Sequence, residues 1–236
     1  MTDIAAPQPV AETAPEADDR PLLAGVMGWP VKHSRSPQLF GHWFARHGIA
    51  GAYVRLAVRA ADFEMVLRAL PKAGFRGVNV TLPHKLAALA LADRATPSAR
   101  AIGAANTLTF QADGTIFADN TDGYGFIENV RAGAPNWRPA SAPALVLGAG
   151  GAARAILFAL LEAGVPAIRL ANRTAAKATE LAAHFGPRVQ VVGWEDRSDA
   201  AGGAGLIVNT TSLGMTGKPP LEISLDAAPD TAVVTD

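Results

Sequence analysis

Short apolar runs of strand character alternate with amphipathic helical stretches from Pro21 to the end of the chain, and few architectures accept that order. "LLAGVMG" (22–28) reads as a strand, and the polar loop "WPVKHSRSP" follows it. "QLFGHWFARHG" then sets Leu39, Phe40, Trp43 and Phe44 on one helical face. "AYVRLAV" is the next strand, "ADFEMVLRAL" the next helix, and "GVNVT" a third strand before the helix of "PHKLAALALA". Such an order implies a parallel sheet covered by helices. "NTLTFQADGTIFADN" departs from it, because two strand-like runs flank Asp113-Gly114, a hairpin signal that adds an antiparallel element. A helix begins near Asp122 and runs into "APNWRPASAP", whose Pro and Ala content reads as a linker. Beyond it "ALVLGAGGAARAILFALLEAG", "AIRLANR", "AAKATELAAHF", "VQVVGW" and "GLIVNTTSLGM" resume the alternation. The expected fold is therefore two-domain α/β, with one domain over 21–122 and a second over 123–236 that includes a linking helix.

Composition narrows the function classes. The 236 residues carry 21 basic and 21 acidic side chains, so nothing suggests nucleic acid or an anionic membrane surface as a partner. Hydrophobic residues make up 49%, enough for real cores, yet no run approaches the roughly 18 apolar residues of a membrane span. The absence of cysteine excludes disulfides, thiolate metal sites and cysteine nucleophiles. Residues 1–20, rich in Ala, Pro and acids, read as a disordered tail and not as a signal peptide. A cytoplasmic protein, monomeric or homodimeric, is expected. "NRT" at Asn172 and "NTT" at Asn209 match the glycosylation sequon by coincidence.

"GAGGAA" (148–153) fits G-x-G-x-x-G/A with Ala153 in the last place. Alone the string is weak, but an apolar strand precedes it and an apolar helix follows. In that setting Gly148, Ala149, Gly150, Gly151 and Ala152 bring backbone N–H groups and a helix N-terminus to a pyrophosphate. A tight turn that needs glycine for backbone reasons alone is the plain alternative. About twenty residues on, an NAD site wants a carboxylate for the ribose 2′-OH. Here "LANRTAAK" supplies Asn172, Arg173, Thr174 and Lys177 and no acid, which favours the 2′-phosphate of NADP.

Polar residues of the first half also gather at strand ends, where ligands settle in open α/β sheets. Ser34 and Ser36 follow the first strand, Asn79 and Thr81 end the third, and Asn106 and Asp122 flank the hairpin. They offer hydroxyls, amides and a carboxylate, with no metal-binding spacing. Such a set suits a small, hydroxyl-rich substrate. Plainer roles stay open: Ser36 as a helix cap before Pro37, Asn79 and Thr81 as strand closure, Asp122 as the N-cap of its helix. Lys85 is harder to explain away, since the first turn of the helix that Pro83 opens repels a cation. His84 turns away from Lys85 and is not read as a proton shuttle. His33, His42, His47 and His184 show no ligand spacing and read as surface or partly buried polar residues.

Taken together the strings resemble the shikimate dehydrogenase family. "GVMGWPVKHSRSPQLF", "GVNVTLPHK", "IGAANTL" and "DNTDGYG" are similar to motifs of its first half, and "GAGGAARA", "NRT" and "NTTSLGM" to those of its cofactor half. The resemblance covers about residues 21–236. It implies a substrate-binding α/β domain followed by an NADP-binding Rossmann domain, and NADP-dependent interconversion of 3-dehydroshikimate and shikimate. By the same resemblance Ser34 and Ser36 hold the substrate carboxylate, and Asn79, Thr81, Asn106 and Asp122 bind its hydroxyls. Lys85 and Asp122 form the catalytic pair, in which the ammonium stabilises a developing alkoxide and donates its proton.

One departure stands out. The sequence ends at "AAPDTAVVTD", where the family continues with a tyrosine-bearing strand end and helices that return to the first domain. Those segments normally give a tyrosine and a glutamine to the substrate, so a pocket open on one side is expected. Two rival readings remain: a relative acting on quinate, which often uses NAD, and a non-catalytic NADP-binding module.

Overall fold

The computed structural model describes residues 21–236; the tail expected over 1–20 lies outside the described residues. The first half runs β1 (Leu22–Gly28), α1 (Ser36–Arg46), β2 (Gly51–Ala57), α2 (Phe63–Ala69), β3 (Phe75–Val80), α3 (Lys85–Leu91), β4 (Arg94–Ala95), α4 (Pro97–Ile102), β5 (Thr107–Phe110) and β6 (Ile116–Asp119). These strands form one sheet in the order β2-β1-β3-β5-β6-β4. β1 lies parallel to β2 and β3, as the strand–helix alternation predicts, and β5 turns the sheet antiparallel against β3 and β6. The hairpin joining β5 to β6 is closed by Asp113, whose Oδ1 accepts from the N–H and hydroxyl of Thr115 at 2.9 and 2.7 Å. Those donors hold the Asp113 carboxyl below its usual range, and Gly114 takes the positive φ of 83° that the turn demands.

Met27, Phe63, Leu67, Val78 and Leu108 centre the core of this half. α1 covers only the β1–β2 edge of the sheet, so its apolar face divides. Phe40 and Phe44 pack on Val26, Val31 and Tyr53, whereas Leu39 and Trp43 stay 48% and 43% exposed. β4 and α4 are additions to the predicted order. α4 carries its own start signal, since Thr96 Oγ1 accepts the Ala99 N–H at 3.1 Å and Pro97 follows the cap.

α5 (Asp122–Gly133) leads to the second half: β7 (Ala144–Leu147), α6 (Gly151–Glu162), β8 (Ile168–Ala171), α7 (Ala175–Phe185), β9 (Val189–Val192), β10 (Leu206–Asn209) and β11 (Val233–Thr235). This sheet is parallel throughout, in the order β11-β10-β7-β8-β9. β7 lies at its centre with all four residues buried, and the glycine turn leaves its carboxyl end. α6 presses Leu157, Leu160 and Ala153 onto the sheet.

The first half meets the second through α4 and α6. A small cluster of Ile102, Ala104 and Ala155, with Phe158 beside it, joins α4 to α6. α5 approaches α6 so closely that a Cβ on Gly123 would lie 2.9 Å from the Ala155 carbonyl oxygen. His184 adds a polar tie, its Nε2 lying 2.8 Å from the carbonyl oxygen of Ala101. Among the described residues no helix is long and apolar enough to cross a membrane.

Candidate active site

The cleft wall is built where β3 stops. Thr81 still donates its N–H to the Met27 carbonyl at 2.9 Å, and a tight turn through Leu82 and Pro83 follows, closed by His84 N–H to the Thr81 carbonyl at 3.0 Å. α3 then begins at Lys85 and not at Pro83, so Lys85 is the first helical residue, where a cation gains nothing from the helix dipole. Its Nζ reaches Asp122 Oδ2 at 2.5 Å, with the two side chains 12% and 29% exposed. Asp122 itself is the first residue of α5, where a carboxylate is favoured. The capping role open to it from sequence is not realised: Thr121 holds the cap position, and no side chain caps the helix. Two helix starts of opposite preference thus face each other. The anion that α5 favours compensates the cation that α3 does not.

A line of side chains extends from this pair. Asn106, buried, donates its amide to Asp122 Oδ1 at 2.7 Å and to Thr121 Oγ1 at 3.1 Å. Its Oδ1 accepts from the Thr121 N–H at 3.0 Å and the Thr107 hydroxyl at 2.9 Å. Asn79 donates to Thr107 Oγ1 at 3.2 Å and accepts the Tyr53 hydroxyl at 2.7 Å. Burial pushes the Tyr53 phenol up to about 12, against a smaller opposing effect of the Ser36 hydroxyl. Ser34 Oγ donates to Ser36 Oγ at 3.2 Å and accepts the Ser36 N–H at 3.3 Å. Ser36 is inside α1, with Arg35 at the cap position and no side-chain cap bond, so its hydroxyl is not committed to capping. Arg55 on β2 pins this loop by donating from Nε to the Ser34 carbonyl at 2.9 Å and from Nη2 to Gln38 Oε1 at 3.1 Å.

Ser34, Ser36, Asn79, Thr81, Lys85, Asn106 and Asp122 all line one cleft of about 490 Å³. Leu39, Phe40, Trp43 and, from the second half, Met215 complete an apolar flank. His33 also lies on this wall, a position that ligand spacing gave no reason to expect. His84 does not: it is 2% exposed, its Nε2 is 2.7 Å from the Val58 carbonyl, and its ring stacks on Phe63. Among the described residues no three His, Asp or Glu side chains gather where a metal ion would need them.

A second cavity of about 260 Å³ opens at the end of β7. Gly148, Ala149, Gly150, Asn172, Arg173, Thr174 and Lys177 line it, joined by Trp194 and by Thr210 to Leu213 after β10. Gly148 has φ 110°, and a side chain there would run into Thr210. The loop after β10 braces itself, with Asn209 Oδ1 accepting from Thr211 Oγ1 at 2.7 Å and Asn209 Nδ2 donating to the Leu213 carbonyl at 3.1 Å. Gly151 and Ala152 open α6 and do not line this cavity. Gly151 instead lies against Lys85, where an added Cβ would stand 3.3 Å from Lys85 Cδ. A helix start, a side-chain-free turn, the two cations Arg173 and Lys177, and no lining carboxylate together fit a phosphorylated dinucleotide.

Sequence reasoning missed Tyr53, Thr107, Arg55 and Trp194, which are joined to the site only through space; the 210–213 loop lies within the "NTTSLGM" string already set in the cofactor half.

Two family models match the chain: the shikimate dehydrogenase substrate binding domain over residues 26–108, and shikimate / quinate 5-dehydrogenase over residues 135–214. The shikimate dehydrogenase (NADP(+)) of Dinoroseobacter shibae is 62% identical over 214 residues, spanning 91% of this chain and 77% of that protein. Among solved structures, the shikimate 5-dehydrogenase of Thermus thermophilus in complex with NADP(H) and shikimate superposes with a TM-score of 0.78 at 38% identity. That match covers 90% of this chain and 77% of the other. Quinate dehydrogenase from Corynebacterium glutamicum in complex with NAD has a TM-score of 0.82 at 29% identity, over 91% and 79%.

Proposed function

The chain belongs to the shikimate dehydrogenase family, and from that membership we propose that its two cavities carry out the NADP-dependent, reversible reduction of 3-dehydroshikimate to shikimate. The observation that carries the reading is the Lys85–Asp122 pair, set on the wall of a polar cleft with the lysine stem against the glycine turn. The division of labour proposed is a substrate-binding domain over 21–122 and a cofactor domain over 123–236.

When bound, NADPH supplies the hydride. Gly148, Ala149 and Gly150 leave room for its pyrophosphate, with the α6 start, including Gly151 and Ala152, presenting amides. Asn172, Arg173, Thr174 and Lys177 would hold the 2′-phosphate, the two cations offsetting its charge. On the substrate side, Ser34 and Ser36 take the carboxylate. Asn79, Thr81, Asn106 and Asp122 orient the ring hydroxyls. Lys85 stands beside the carbonyl oxygen, stabilises the negative charge that develops on it and gives it a proton; in the reverse direction it takes that proton back. Asp122 holds the ammonium in place at 2.5 Å. The accompanying proposal is a cytoplasmic enzyme, monomeric or homodimeric, acting on small molecules and not on nucleic acid or membranes; its balanced charge supports that reading.

An NADPH absorbance assay with shikimate and quinate, each with NADP and NAD, tests it. Turnover of shikimate with NADP well above the other three combinations is the expected result. A clear preference for quinate, or for NAD, would overturn the assignment.

A further inference from the structure

Tyr53 has no place in the reading from sequence, yet it stands at the head of a directed line of hydrogen bonds. The direction can be worked out from groups that have only one possible role. Asn79 Nδ2 faces the Asn106 backbone carbonyl at 3.4 Å, and a carbonyl can only accept, so the other amide face of Asn79, its oxygen, is turned to Tyr53. Asp122 carries the other fixed role: its carboxylate accepts from Lys85 on one oxygen and from the Asn106 amide on the other. Asn106 Oδ1 therefore accepts, taking the Thr107 hydroxyl proton, and Thr107 Oγ1 is left to accept from Asn79. Each donor points the same way, from the phenol on β2 to the carboxylate on α5.

We propose that Tyr53 is a positioning residue for the reaction: its hydroxyl locks the Asn79 amide, and through Thr107 and Asn106 it orders the polar wall that ends at Asp122. The inference rests on the reading of this cleft as the shikimate site. Tyr53 supplies the hydroxyl that meets Asn79 Oδ1, reaching across β1, which lies between β2 and β3. Its ring is stacked on Phe40 with centroids 4.1 Å apart and planes 4° apart, so the hydroxyl is delivered by a rigid group. Two primary amides interrupt the line, and an amide does not relay a proton as a hydroxyl does. The line orients; it does not conduct.

Tyr53→Phe deletes the hydroxyl and keeps the ring. The amide oxygen of Asn79 then loses its side-chain donor, and only the Nδ2 contacts at 3.2 and 3.4 Å still hold the amide, so it is set less firmly toward a substrate hydroxyl. The expected result is a rise in KM for shikimate on the order of 10-fold, with a smaller fall in kcat, an unchanged Kd for NADPH and a Tm lowered by no more than a few degrees. In an Asn79→Ala background the same substitution adds less than about 2-fold, because the group it acts through is gone. Thr107→Val breaks the next link without changing side-chain shape, and repeats the KM effect if Tyr53→Phe does not fold. Turnover by the unaltered chain in the same assay tests the assigned reaction separately. An active chain whose shikimate KM ignores both substitutions, or shows full additivity with Asn79→Ala, overturns the role of Tyr53; an inactive one overturns the reaction and this inference with it.

Discussion

At the scale of single residues the decisive group is Lys85. A lysine at the first position of α3 is at odds with the local dipole, and its ion pair with Asp122 supplies the compensation from another helix. Lys85→Ala removes the proposed proton donor, which does not line the second cavity. Turnover is expected to fall by a factor on the order of 10² to 10⁴ while NADPH affinity, measured by fluorescence titration, barely moves. Arg173 gives the complementary result. Arg173→Ala raises the Kd of NADPH on the order of 10- to 100-fold, as loss of a charge-assisted hydrogen bond does, and leaves the Kd of NADH nearly unchanged. A change of equal size for both cofactors would move Arg173 away from the 2′-phosphate. Lys85 and Arg173 stood out in the sequence because each departs from a local rule, whereas Asp122 obeys one at the start of α5 and stood out only by its place beside the hairpin. Tyr53 did not. A tyrosine in a strand is ordinary, and its partner Asn79 lies 26 residues away, across an intervening strand.

At the scale of elements, strands and helices with clear periodicity were read correctly, and β1 runs over the same residues as expected, Leu22–Gly28. β4 and α4 escaped, since a strand of 2 residues and a helix of 6 residues are too short to show a period. Glycines were harder to read, because the same residue serves different ends. Gly148 is required by its own backbone, at φ 110°. Gly123 is required by a neighbour: α5 lies so close to α6 that an added Cβ would stand 2.9 Å from the Ala155 oxygen and 3.2 Å from the Ala159 Cβ. Gly123→Ala therefore forces α5 outward, carrying Asp122 with it. Overpacking of this kind costs about 1–3 kcal/mol, to be read from urea unfolding, and kcat falls with it because the Lys85–Asp122 distance changes. Unfolding equal to that of the unaltered chain would show that the helices separate freely.

Across the whole molecule, each half has its own core, and the apolar joint between them is small: Ile102, Ala104, Ala155 and Phe158. Ile102 is 1% exposed there. Ile102→Ala leaves a void at the joint, and the expected loss is about 2–5 kcal/mol in unfolding free energy. Because the two cavities belong to different halves, the KM values for shikimate and for NADPH should rise together in steady-state assays, a pattern that substitutions inside either cavity do not give. The two-sheet plan was visible in the alternation of apolar runs. The closeness of the halves was not, since it depends on α4 meeting α6 and on Gly151 meeting Lys85, groups far apart in sequence. That second meeting has a consequence of its own. With the stem of Lys85 facing bare backbone at position 151, a methyl group on that residue would press on the tether of the ammonium, so the missing side chain is what lets lysine and glycine turn stand shoulder to shoulder.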